Sequence, residues 1–256
     1  MLNRLEEKMF LILNELKDKN KELILKADLE EEGTRLFELS CFAEMVFKAG
    51  GKFYVKIAGV GAVFDLEICK NFGADAIMVP MIETPYSLKK FRKIAKRVFK
   101  DEIEKIDFIA NTETKTCVEN IEEILEIGGS FLKGITVGRV DLCSSLGLER
   151  KNIDEEEVFK NTEILVKKAK EKGFLVSVGG GVLKESFSVL ERLKQYINRF
   201  ETRKFIFSFD GNLKKFEENL KKATEFELIY LENKSFKYME MSKEDLARIK
   251  LLKERL

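Results

Sequence analysis

Apolar residues along this chain recur in two alternating rhythms. Seven short runs, at 22–30, 53–59, 75–83, 107–114, 134–141, 174–180 and 204–209, are apolar over four or five consecutive residues. Between most of them lie longer stretches with apolar positions at i, i+3 and i+4. In VENIEEILEIGGS, for example, Val118, Ile121, Ile124 and Leu125 form one stripe of a helix. Strands that alternate with helices predict a parallel sheet covered by helices, and the continuous apolar runs predict strands buried on both faces.

Polar residues gather where each run ends: Asp28 and Glu30, Lys56, Glu83, Asn111 and Glu113, Asp141, and the glycines at 179–181. In parallel α/β sheets that edge is where ligands bind. Seven runs are one short of a complete barrel, so either a strand is missing or another element closes the sheet. The stretch 225–232 is a candidate, but Phe216, Leu220, Ala223, Phe226 and Ile229 keep helical spacing through it. A long helical region is therefore expected from a cap at Asn212 to about Leu256, an arm suited to packing on a neighbouring subunit. No Pro/Gly/Ser-rich linker and no internal repeat interrupts the sequence, so 1–256 reads as one domain with 212–256 as its helical extension.

Composition narrows the chemistry. The 256 residues are 45% apolar, enough for a sizeable core, and 36% charged, mostly on solvated helix faces. The net charge is +1 with no basic stripe, which argues against a nucleic-acid partner. No apolar run approaches membrane-spanning length, and the N-terminus reads as an amphipathic helix, not a signal peptide. The four cysteines are widely spaced with no CxxC, which fits a reduced, cytoplasmic setting without disulfides. There is no histidine. Serine–histidine and cysteine–histidine pairs and any histidine base are thereby excluded. A metal would be held by oxygen ligands, which favours Mg²⁺ or Mn²⁺.

Glu113 ends one run immediately before a helix that Thr114 or Thr116 caps; alone, it reads equally as a complement to the helix dipole. Asp141 ends the next run. Consecutive parallel strands are usually neighbours, about 4.8 Å apart, so the two carboxylates are expected to face one small volume. Like charges that close need a cation between them. The cation is either a divalent ion or a side chain such as Arg139 or a lysine.

The segments VPMIETPYSLKKF, NTETKTCVENIEEIL and GITVGRVDLCSSLG closely resemble the metal-dependent hydroxy-keto-acid aldolase/citrate lyase β-subunit family (HpcH/HpaI). The resemblance spans about 22–210 and rests on Glu113-Thr114 followed by Gly138, Asp141, Leu142, Cys143, Ser145 and Gly147; Cys143 stands where the family usually has serine. It implies a (β/α)8 TIM-barrel-like fold, here with one strand missing or replaced. It further implies Glu113 and Asp141 as ligands of Mg²⁺ or Mn²⁺, and a pyruvate-like 2-oxo acid or acyl-linked acid as substrate. Carbon–carbon lyase or aldolase chemistry would then run through a metal-bound enolate. The backbone of Gly138, Arg139 and Val140, with Asn111, would contact the substrate. Lys56 matches a strand-end arginine or lysine of the family and would stabilise the enolate. The family's acidic–histidine element falls at 26–35, where Glu31 stands as the proton carrier in place of histidine. Trimers or hexamers are the family's common assemblies. Other phosphoenolpyruvate or enolate chemistry, or a barrel kept as a scaffold, are the alternatives.

Three further motifs are weaker. GVGAVFD (59–65) resembles a dinucleotide fingerprint, but Phe64 would block close helix packing. The glycines of VSVGGGV (176–182) either cradle an anion or form a tight turn. Glu201 and Arg203 precede the last run and are expected at the opposite, structural end of the sheet as salt-bridge partners.

Overall fold

A computed structural model describes residues 3–253. Helix α1 (Arg4–Lys19) precedes the first strand, β1 (Ile24–Asp28). Then follow α2 (Leu36–Lys48), β2 (Lys52–Lys56), α3 (Val63–Asn71), β3 (Ala76–Val79), α4 (Pro85–Phe99), β4 (Asp107–Asn111), α5 (Lys115–Gly128) and β5 (Gly134–Gly138). After these come α6 (Arg139–Ser145), α7 (Glu156–Glu171), β6 (Leu175–Gly179), α8 (Phe187–Arg192), β7 (Arg199–Glu201), β8 (Phe205–Ser208) and α9 (Leu213–Lys253). The eight strands form a closed barrel in chain order. It is the TIM-barrel-like architecture that the family resemblance implies, with no strand missing.

Closure departs from the all-parallel expectation. Strands β1 to β7 are parallel, but β8 runs antiparallel to both β7 and β1. The strand missing from the sequence pattern is β7. Its three residues are too few to show a period, and they sit at the end of what reads as a helical stretch. A two-residue turn, Arg203-Lys204, joins β7 to β8, with Thr202 N–H donating to the Phe205 carbonyl at 2.8 Å. Because β8 runs backwards, Glu201 and Arg203 lie at the same end as the C-termini of the parallel strands. They are therefore not at the structural end of the sheet, as the sequence suggests; both form salt bridges, though not with each other, Glu201 pairing with Lys26 and Arg203 with Glu32.

Two apolar layers hold the barrel. Between strands and helices lies a continuous core that includes Leu25, Phe53, Ile77, Phe108, Ile135, Val176 and Phe205. Inside the barrel a separate plug forms from Ile24, Tyr54, Ala76, Met78, Ile109 and Ile206. The strand pleat separates the two sets: Leu25 and Ala27 face outward, while Ile24 and Lys26 face inward.

Asn212 caps α9, as expected, its Oδ1 accepting from the Lys215 N–H at 3.0 Å, and the expected helix end near Leu256 lies outside the described residues. At about 1.5 Å per residue its 41 residues extend roughly 60 Å. It packs along α1, where Asn3 Nδ2 donates to Asn233 Oδ1 at 2.8 Å and Lys237 pairs with Glu6 at 2.6 Å. The stretch 225–232 is helical. No described helix is long and apolar enough to cross a membrane.

Candidate active site

The C-terminal ends of β2, β3, β4 and β5 converge on Glu113. Strand β4 ends at Asn111, and the chain then runs through Thr112 and Glu113 to Thr114, whose hydroxyl caps α5 by accepting from the Cys117 N–H. This fixes Glu113 at the rim with its side chain turned inward, 2% exposed. Its Oε1 accepts from the Met81 N–H at 3.1 Å and its Oε2 from Asn111 Nδ2 at 3.2 Å. Met81 holds a left-handed backbone (φ 53°), unusual for a residue with a side chain, and this conformation accompanies the bond to Glu113. Gly138 makes room on the other side: a Cβ there would collide with Glu113 Oε2.

Burial pushes the Glu113 carboxyl up to about 7; Lys56 pulls it down, and the charge of Asp141 adds to the rise. Lys56 itself stays protonated. Burial lowers its pKa, but Glu113, Glu30 and Asp28 together raise it above the ordinary lysine value. Glu30 is its direct partner at 2.5 Å. An ammonium held charged in this way is an electrostatic group and not a free amine for a Schiff base.

Arg139 does not stand between the two carboxylates. Its side chain is fully buried and turned away, donating to Asp154 at 2.5 Å and to the Gly180 carbonyl and Ser186 Oγ at 3.2 Å each. The Gly180 turn is correspondingly tight: a Cβ there would lie 2.7 Å from Val140 N and 2.8 Å from Arg139 N. The absent side chain at Gly180 lets its backbone approach the amides at the start of α6 closely, a helix that opens on Gly138 with no side-chain cap.

Glu31 is not brought into this cluster. Its side chain is 70% exposed and lies 3.8 Å from Arg203. Next to it Glu32 pairs with Arg203 and with the buried Lys204, tying the β1 loop to the β7–β8 turn. Lys26 and Thr136 face inward without having been singled out in the sequence, Glu30 stood there only as one of the rim residues, and Glu201 was expected at the other end of the sheet. Lys26 pairs with Glu201 at 2.8 Å, and Thr136 Oγ1 donates to Glu201 Oε1 at 2.7 Å. The period-2 face shared by Ile24, Lys26 and Asp28 was the available signal for Lys26.

The residues present fit a divalent ion. Asn111 Oδ1 is buried beside Glu113 with no hydrogen-bond partner among the described residues. Gly138 preserves the space around Glu113 Oε2, and the negative charge of Asp141 acts on the Glu113 carboxyl. No group of three or more His, Cys, Asp and Glu among the described residues could hold a metal by itself. Two carboxylates completed by water and substrate oxygens are the usual way proteins hold Mg²⁺.

A sequence profile of the HpcH/HpaI aldolase/citrate lyase family matches residues 44–185, more than half of the chain. The chain belongs to that family. Its members are generally dependent on a divalent metal. Among solved structures, the chain is similar to an HpcH/HpaI aldolase from Desulfitobacterium hafniense DCB-2, with a TM-score of 0.63 and 15% identity over 78% of this chain and 82% of the other. It is also similar to the citrate synthase SbnG, with a TM-score of 0.62 and 16% identity over 84% and 88% of the two chains. A family protein from Burkholderia cenocepacia J2315 gives 0.60 and 15% over 76% and 89%. At these identities the likeness shows the fold. A comparison with curated proteins gives no match.

Proposed function

We propose that the protein is a metal-dependent carbon–carbon lyase or aldolase that acts on a pyruvate-like 2-oxo acid or an acyl-linked acid. The observation that carries this reading is the buried Glu113, cradled by Met81 N–H, Asn111 and the missing side chain of Gly138, and coupled to Asp141 and Lys56. Glu113 and Asp141 would hold Mg²⁺ or Mn²⁺, which supplies Lewis-acid polarisation of the substrate's oxo group. Lys56, protonated and fixed by Glu30, faces the developing enolate oxygen with a full positive charge. The amides of Arg139 and Val140 bind the substrate carboxylate, with Arg139's own side chain locking that backbone in place through Asp154, Gly180 and Ser186. Asn111 orients Glu113 and offers its free carbonyl oxygen to the bound water or substrate. Proton transfer falls to a carboxylate of the β1 loop, and Glu30, beside Lys56, is better placed than the exposed Glu31.

The substrate partner is thus a small oxo acid, and the working form is a homo-oligomer, a trimer or hexamer. Thermal melting with Mn²⁺, with and without pyruvate, tests the site: ligand at about 100 times its Kd adds about 2.7 kcal/mol of stability. Oxaloacetate decarboxylation tests the chemistry, because it needs no aldehyde partner. No shift with either ligand and no decarboxylation would leave a barrel that serves as a scaffold.

A further inference from the structure

Beneath Glu113 the barrel interior is polar, and one of its cations is unexplained by the site described above. Lys26 shares the inward face of β1 with Ile24 and Asp28. Its neighbours Leu25 and Ala27 belong to the outer core. Its side chain is nevertheless 15% exposed. That exposure has one available direction. Below Lys26 the plug of Ile24, Tyr54, Ala76, Met78, Ile109 and Ile206 closes the barrel, with each residue no more than 5% exposed. The exposed part of the side chain therefore faces the mouth.

Its bonding is incomplete in the same sense. An ammonium has three N–H donors. Among the described residues Lys26 Nζ has one hydrogen-bond partner, Glu201 Oε2. Glu201 is itself unreachable, 1% exposed, and held from its other oxygen by Thr136. Thr136 is the register partner of Asn111 on the neighbouring strand, and Asn111 donates to Glu113. A continuous polar wall thus runs from the candidate metal pair through Asn111, Thr136 and Glu201 to Lys26. Packing does not account for this arrangement: replacing a buried ion pair by apolar side chains is commonly neutral or stabilising. What the pair secures is a cation aimed upward with donors to spare.

We propose that Lys26 is a specificity-determining residue that binds a second anionic group of the substrate, so that the site selects dicarboxylic 2-oxo acids over pyruvate. Lys26 lies two strand residues, about 7 Å, below the rim position of Asp28. That depth matches an extended four- or five-carbon diacid with its oxo-acid end at Glu113 and Asp141. A carboxylate at the floor meets a charge-assisted donor. A short or apolar tail leaves that donor with water. The inference rests on the lyase reading for the position of the oxo-acid end.

The test is calorimetric binding of 2-oxoglutarate, oxaloacetate and pyruvate to the Mn²⁺-loaded protein and to a Lys26→Met/Glu201→Gln variant. The paired change removes both charges and keeps an acceptor for Thr136, so the barrel interior is not left with a lone charge. Diacid affinity is expected to fall 10- to 100-fold while pyruvate and Mn²⁺ affinities change less than threefold. Equal losses for diacid and pyruvate, or no loss for either, would overturn the assignment. If Mn²⁺ and pyruvate fail to bind the wild type, the lyase reading fails by itself. Succinate binding that disappears in the variant would then still support the Lys26 subsite, and absence of any diacid binding would end it.

Discussion

At the scale of single residues, Glu113 carries the sharpest consequences. Its folded-state pKa of about 7 lies above the usual 4.5, so the folded chain holds this proton more tightly than the unfolded chain does. The associated stability is complete below about pH 4.5 and is lost as the pH rises through about 7. In metal-free protein at pH 8, Glu113→Gln should therefore raise the melting temperature, by up to about 3 kcal/mol in stability. The amide fits because Asn111 can turn its unpartnered oxygen toward the new N–H. The same variant should lose the Mn²⁺-induced shift. A divalent ion must displace the Glu113 proton, so Mn²⁺ should bind about tenfold more weakly at pH 6 than at pH 8, measurable by titration calorimetry. Gly138→Ala separates geometry from charge: it leaves both carboxylates in place but drives a methyl group into Glu113. Loss of Mn²⁺ binding together with a lowered melting temperature is the expected result. The carboxylates were legible in the sequence because each lies in a recognisable motif just past a strand, although neither ends one: Glu113 sits two residues beyond β4, and Asp141 belongs to the first turn of α6 and not to the end of the run 134–141. Lys26 and Glu201 were not, because their roles depend on the inner face of a closed barrel and on a strand too short to register.

At the scale of elements, the helix periods and strand runs announced every long element; they missed β7, the reversed direction of β8 and the start of α6 inside the run 134–141. Of the expected caps, Thr114 and Asn212 stand at helix starts, and Thr84 caps α4 in the same way without having been singled out. Helix α9 is the element whose attachment is most sensitive to conditions. It docks on α2 through Glu38, which accepts from Tyr238 and pairs with Lys234 at 3.0 Å. Burial raises the Glu38 carboxyl, but the bonds from Tyr238, Lys234 and the Arg35 N–H outweigh it, and its pKa ends below the ordinary value of 4.5. Its contribution is present above about pH 4.5 and is lost as the pH falls through the lower folded-state value. Hydrogen exchange should show the second half of α9 opening at pH 3 and closed at pH 6. Glu38→Gln should weaken protection at pH 6 and flatten the difference.

For the molecule as a whole, two features distinguish this barrel. One is the outer face of α9, where Leu228, Leu231, Phe236, Met239 and Leu246 are each about half exposed along one side of the helix. In water such a stripe favours a covered state. Sedimentation should find an oligomer, and Leu231→Glu combined with Met239→Glu should shift it toward monomer without altering Mn²⁺ affinity.

The other feature is the reversed last strand. Most parallel strands leave the rim through a loop whose length can grow, β5 running straight into α6, but the Arg203-Lys204 corner is a bare turn clamped by Glu32. Nothing long enough to form a flap can be inserted there without unseating Lys204 from the aromatic rings of Phe42 and Tyr230. The basin thus keeps one permanently low bank, and a bulky substrate tail can hang over the side of the barrel while its reacting end sits inside.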